Sequence, residues 1–227
     1  RGTAEVQPRD SRGTEPREGR GVRAAGAALE GDSITRAYDV RRARWRELST
    51  RGSEPRPRYR HAAALLPAPA AGAGAAMAVW GGYLRRMDEG SNVLATNELF
   101  LLRLHSLTWE APRTSGPSPE PRGGHTASLI GDKILIFGGG QLTLDGEEER
   151  WNEHDLPGLA WLDTSCWAYG APATTGEEPG ARGGHTAHVI GHDGAISLLI
   201  LGGRRYEAGA TGRHHGRAEA HVLQLGG

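Results

Sequence analysis

Two stretches of this chain carry nearly the same text. PRGGHTASLIGDKILIFGGG runs from Pro121 to Gly140, and ARGGHTAHVIGHDGAISLLILGG runs from Ala181 to Gly203. A worn third copy, PRYRHAAALL followed by MAVWGGY, precedes them. Laid side by side, the copies repeat a histidine at His61, His125 and His185, spaced 64 and 60 residues. They repeat glycine pairs at Gly81-Gly82, Gly138-Gly139 and Gly202-Gly203. An aromatic is expected to close a strand at Trp45, Trp109 and Trp167, spaced 64 and 58. Three features recurring in one order mark a repeat architecture, and all-strand units of roughly 50 residues point to propeller blades.

Within the middle copy, HTASLI alternates small or polar with apolar residues, as a half-exposed strand does. Gly131-Asp132 suits a two-residue hairpin turn, because glycine accepts a positive φ. KILIF is a continuous apolar run of strand length and is expected to be covered on both faces. LAWLDTSCW, residues 159–167, reads as a further strand region, and GAPATTGEEPGAR as a connector to the next copy.

The segments PRGGHTA…ILIFGGG and ARGGHTA…LLILGG resemble the kelch repeat family, and the resemblance extends over about residues 31–227. It implies an all-β fold, a kelch-type β-propeller segment with about three complete four-stranded blades plus part of a fourth. On this reading 1–20 is a disordered tail, 21–56 a partial blade and connector, and 57–115, 116–175 and 176–227 are one repeat each. The first copy departs from the pattern with Tyr59-Arg60 in place of Gly-Gly and with the insert PAPAAGAGA at 67–75. The third has the longer turn GHDGA and no closing tryptophan. Family propellers close with more blades than this, so the reading expects further blades, or a homodimer, to complete the ring. Arg1 in place of Met suggests a piece of a longer chain.

Composition narrows the function classes. Formal net charge is zero, which argues against a general nucleic-acid or membrane-surface binder. The charge is uneven: residues 1–60 are net +6 and the remainder net −6. Only Lys133 among 27 basic residues is a lysine, a bias that looks like codon composition. No run is long and apolar enough to span a membrane. Cys166 is the single cysteine, so no internal disulfide or thiolate metal cluster forms, and a reducing compartment, cytoplasmic or nuclear, suits the chain.

The repeated residues read as frame. Glycine pairs let neighbouring blades approach closely. Each repeated histidine is expected to bond a backbone carbonyl, the three imidazoles to diverge, and Cys166 to be buried. No catalytic set, metal or cofactor is assigned. Function is expected in the loops after the glycine pairs, 83–97, 141–158 and 204–217, which should emerge on one face. Arg85, Arg86, Arg204 and Arg205 are the candidate partner-binding residues, since paired guanidiniums bind carboxylates or phosphates bidentately. Trp151 is a candidate aromatic anchor. The leading reading is a protein-interaction module for an acidic or phosphorylated partner segment, not an enzyme. The alternatives are a metal-dependent propeller enzyme or specifier protein, with RHH at 213–215 as ligands, and a fragment without independent function.

Overall fold

The computed structural model describes residues 35–68, 74–85, 93–144, 151–192, 195–205, 215–216 and 219–225. The disordered-tail reading of 1–20 therefore lies outside the described residues. All regular elements described are β-strands, and no described helix is long and apolar enough to cross a membrane.

The first blade pairs Ala62–Leu66, Ala76–Trp80, Leu99–Arg103 and Thr108–Glu110 in antiparallel order, with Arg51–Gly52 added parallel at its outer edge. The second pairs Thr126–Ile130, Lys133–Phe137, Leu159–Asp163 and Ala168–Gly170 in the same order. The third contributes Thr186–His192, Ala195–Leu201 and Ala220–Leu225 among the described residues. Ahead of them, Thr35–Asp39 and Arg44–Leu48 form a separate hairpin with the pattern of a blade's last two strands.

The continuous apolar runs are explained by two-sided burial. Along Lys133–Phe137, Ile134 and Ile136 face the first blade, joining Ala78, Trp80, Leu99 and Leu101 with Tyr169. Leu135 and Phe137 face the third blade, against Leu198 and Ile200. Successive residues of a strand point to opposite faces, so one strand fills two interfaces. Gly131, at φ 59, turns the chain between Ile130 and Lys133 as its sequence predicts.

The alignment of closing aromatics needs one correction. The last turn of the first blade ends on Leu107 at φ 52 and that of the second on Trp167 at φ 56. Trp109 pairs with Leu102, and Tyr169 pairs with Leu162. Tyr169, 60 residues after Trp109, is thus the equivalent aromatic, and Trp167 occupies the turn. Cys166 lies in that turn and is exposed, not buried. The turn 164–167 follows the five-residue strand Leu159–Asp163 as 104–107 follows Leu99–Arg103, and Thr164 leaves the strand by donating its amide to the Asp132 carbonyl.

Candidate functional site

In each blade the second strand ends at the glycine pair and the chain leaves in a secondary hairpin before returning to the third strand. These are Tyr83–Arg85 with Val93–Ala95, Gly140–Leu144 with Trp151–Asp155, and Arg204–Arg205 with His215–Gly216. All three leave on the side where the first strand begins, opposite the tight turn at Gly131-Asp132. They define a loop face.

The frame beneath that face is built by close approach. A Cβ on Gly138 would stand 2.4 Å from the Arg182 carbonyl oxygen and 2.7 Å from Cε1 of His185, both in the next blade. Gly81 meets Arg122 and His125 in the same way, at 2.9 and 2.8 Å. The second glycine of each pair instead crowds its own blade: Gly139 would meet the Gly123 carbonyl oxygen and His125 Cβ, both at 2.8 Å. Both glycines of each pair also hold a positive φ. The glycines are frame, as expected.

The histidines differ from expectation. Neither ring nitrogen of His125 finds a hydrogen-bond partner among the described residues, although the residue is buried. Its ring stands edge-on to Trp80 at 4.8 Å. Burial and then the Arg122 charge push its pKa down to about 3; the Trp80 carbonyl favours the protonated ring but lies outside hydrogen-bonding geometry. His185 shares a 2.9 Å hydrogen bond between Nε2 and the Thr126 hydroxyl of the neighbouring blade, and burial followed by Arg182 pushes it down to about 4. His61, His125 and His185 all border one cavity of about 500 Å3, but the His125 ring packs on Trp80 and Gly81 and the His185 ring on Phe137 and Gly138, in successive interfaces. No metal-binding group of three or more ligands occurs among the described residues.

That cavity, the channel mouth, opens on the inner side of the arc between the first strands of the three blades. Arg60, Gly124 and Gly184 occupy equivalent places around it, and a backbone relay joins them: Gly124 N–H donates to the Arg60 carbonyl and Gly184 N–H to the Gly124 carbonyl, each at 2.9 Å. Arg60 holds φ 53, a left-handed conformation that glycine adopts at the other two positions. A Cβ at Gly184 would meet nothing within 4 Å, so this position faces open space. Arg204 also lines the cavity. Sequence reading marked Arg60 only as a departure from Gly-Gly; its meaning needed the channel.

The candidate arginines of the third hairpin lie together. Arg204 lines both the channel mouth and, with Arg205, a cavity of about 200 Å3 that Glu177, Glu178 and Glu219 also line. The Arg205 guanidinium lies over Gly180. Arg85 ends a strand, but its side chain lies outside the described residues, as does all of Arg86. Trp151 begins a strand and its side chain too is outside the described set, as are 213–214 of the RHH stretch.

A second repeated arginine was missed. Arg58, Arg122 and Arg182 precede the histidines by three residues in every copy. Each donates Nη1 to the carbonyl of its own blade's first paired glycine, Gly81, Gly138 or Gly202, at 3.1 Å. The spacing of 64 and 60 was visible in the sequence, but the arginine-for-lysine bias masked it.

The KLHDC2/KLHL20/DRC7 Kelch-repeats domain model matches residues 25–225. The chain is 33% identical over 125 residues to the Rho GTPase-activating protein gacHH of Dictyostelium discoideum, covering 55% of this chain and 7% of that one. It is 35% identical over 109 residues to host cell factor 2 of Homo sapiens, covering 42% and 13%. It is 31% identical over 116 residues to acyl-CoA-binding domain-containing protein 4 of Arabidopsis thaliana, covering 51% and 15%. The chain thus spans a small part of the curated relatives it matches. Among solved structures, a chain of a cryo-EM structure of RAG in complex with one melted and one unmelted RSS superposes with a TM-score of 0.52 at 18% identity, over 84% of this chain and 59% of that one. That likeness concerns the fold alone.

Proposed function

We propose, from the premise that this chain belongs to the Kelch-repeats domain family, that it is a protein-interaction module whose loop face receives an acidic or phosphorylated segment of a partner. The observation that carries this reading is the channel mouth. Arg60 and Arg204 line it from two blades, beside His61, His125 and His185. A cationic concavity with low-dielectric walls concentrates anionic groups and orients them, and guanidinium is suited to both carboxylate and phosphate. Arg60 holds φ 53, which costs a non-glycine residue about 1 kcal/mol or more and which glycine adopts freely. Arg85, Arg86 and Trp151 belong to the same proposal.

The test is Arg60→Gly. This change restores the residue found at the equivalent positions and removes backbone strain, so the variant folds at least as well as the parent. Binding of a fluorescent peptide rich in glutamate or phosphoserine, read by anisotropy at low salt, is expected to weaken about tenfold or more. Arg204→Glu weakens it further, and replacing Arg85, Arg86, Arg204 and Arg205 together by Glu abolishes it. Undiminished binding in all three variants overturns the reading.

A further inference from the structure

The three repeated arginines supply an internal comparison. Besides the glycine carbonyl, each donates Nε to the carbonyl two residues back: Arg58 to Arg56 at 3.1 Å, Arg122 to Glu120 and Arg182 to Gly180 at 3.0 Å. The third arm of the guanidinium differs. Arg58 Nη2 meets Glu98 at 2.8 Å, and Arg182 Nη2 meets Glu219 at 3.2 Å. These two glutamates are themselves equivalent. The carbonyl of each accepts the amide of the first paired glycine, Gly81 to Glu98 at 3.1 Å and Gly202 to Glu219 at 2.9 Å.

In the middle blade the corresponding residue is Gly158. It precedes Leu159 as Glu98 precedes Leu99, and Leu156 donates to Gly139 as Thr96 donates to Gly82. A Cβ at Gly158 would meet nothing within 4 Å. Among the described residues Arg122 therefore has no carboxylate within ion-pair distance, yet it is only 6% exposed. The exposed Glu120 acts on it from farther away. The guanidinium is held in the same orientation as its two siblings, by the same two carbonyls, with its third arm unmatched. A buried cation without a counter-ion is costly, and proteins retain such groups where something pairs with them.

We propose that Arg122 is a carboxylate seat on the loop face, filled from outside by an acidic side chain of a bound protein segment in the place that Glu98 and Glu219 fill internally in the flanking blades. The source of that carboxylate rests on the protein-interaction reading; the seat itself does not. Carboxylate is favoured because both siblings take it at the same guanidinium nitrogen. Arg122 lies at the start of an inner strand, at the end of the blade from which the secondary hairpins leave.

The experiment follows the arginine Nε–H resonances of the whole chain by 15N NMR at low salt while acetate is added. Arg122 is expected to shift saturably, with Arg58 and Arg182 shifting about tenfold less because their third arms are occupied. Glu98→Ala, which leaves Arg122 intact, is expected to make Arg58 respond as Arg122 does. A silent Arg122, equal response of all three arginines, or a silent Arg58 in Glu98→Ala overturns the seat. An acetylated tetraglutamate peptide then probes the source. It is expected to bind more tightly than acetate and to lose that advantage in Arg122→Lys, which keeps the charge but not the fork. Peptide binding with a silent Arg122 sinks the seat and leaves the channel-mouth reading standing. Acetate binding at Arg122 with no gain for the peptide overturns the protein source.

Discussion

Trp80 Nε1 donates a 2.8 Å hydrogen bond to the hydroxyl of Tyr169, 89 residues away in the chain, and both side chains are buried between the first and second blades. Tyr169→Phe keeps the ring and deletes the acceptor. The indole N–H is then left buried and unmatched, at a cost of about 1–3 kcal/mol. A lower urea midpoint with an unchanged slope is the expected result, whereas Tyr38→Phe, on the exposed hairpin, leaves the midpoint where it was.

Gly138 and Gly176 both sit at positive φ, but their surroundings differ. A methyl group at Gly138 strikes the Arg182 carbonyl oxygen, and one at Gly176 meets nothing within 4 Å. Gly138→Ala is expected to cost more than about 3 kcal/mol or to prevent folding, and Gly176→Ala about 1 kcal/mol. Thermal melts of the two variants compare backbone strain alone with strain plus blade collision.

Stability should fall with acid through the buried histidines. His125 is depressed to about 3 and His185 to about 4, while an unfolded histidine titrates near 6.5. Between those limits the unfolded chain binds more protons than the folded one, so protons favour unfolding. The contribution is intact above about pH 6.5 and is lost progressively as pH falls toward 4 and then 3. The ceiling is roughly 1.4 kcal/mol per pH unit for each histidine. His125→Leu is expected to flatten this slope in denaturant melts between pH 7 and 4.

Apolar surface is left at both ends of the arc. Tyr38 and Trp45 stack at 5.2 Å on the outer hairpin, and Trp45 is 68% exposed. On the third blade Ile190, Leu201 and Val222 share the face turned away from the second blade. Contiguous exposed apolar residues drive association. Light scattering of the wild-type chain is expected to rise with concentration, and Trp45→Arg combined with Val222→Lys to suppress that rise. Equal scattering would show these faces to be inert.

Sequence order was enough to recover the repeat, the strand-and-turn plan and the role of the glycine pairs. Each of those depends on local spacing that survives even in the worn first copy. What escaped depends on neighbours in space. Trp167 was taken for the closing aromatic because tryptophan is conspicuous, yet turn geometry assigns that place to Tyr169. Cys166 is expected to be buried because cysteine usually is, but it falls in the turn between the blade's last two strands, where the side chain is exposed. Arg58, Arg122 and Arg182 recur with the histidines in the sequence, but the carbonyls and glutamates they hold are set by contacts across the blade. Arg60 looked like decay of the motif until the channel gave its side chain somewhere to go.

The relay from the Arg60 carbonyl through Gly124 to Gly184 always runs in one sense, as do the contacts that Gly81 and Gly138 make with the following blade. The arc therefore has polarity, with a leading and a trailing edge that are not interchangeable. Whatever continues it, from this chain or another copy, must join trailing edge to leading edge. Two copies could complete a circle only about a rotation axis lying along the channel, because a dyad perpendicular to it would oppose like edges and reverse the sense of the relay.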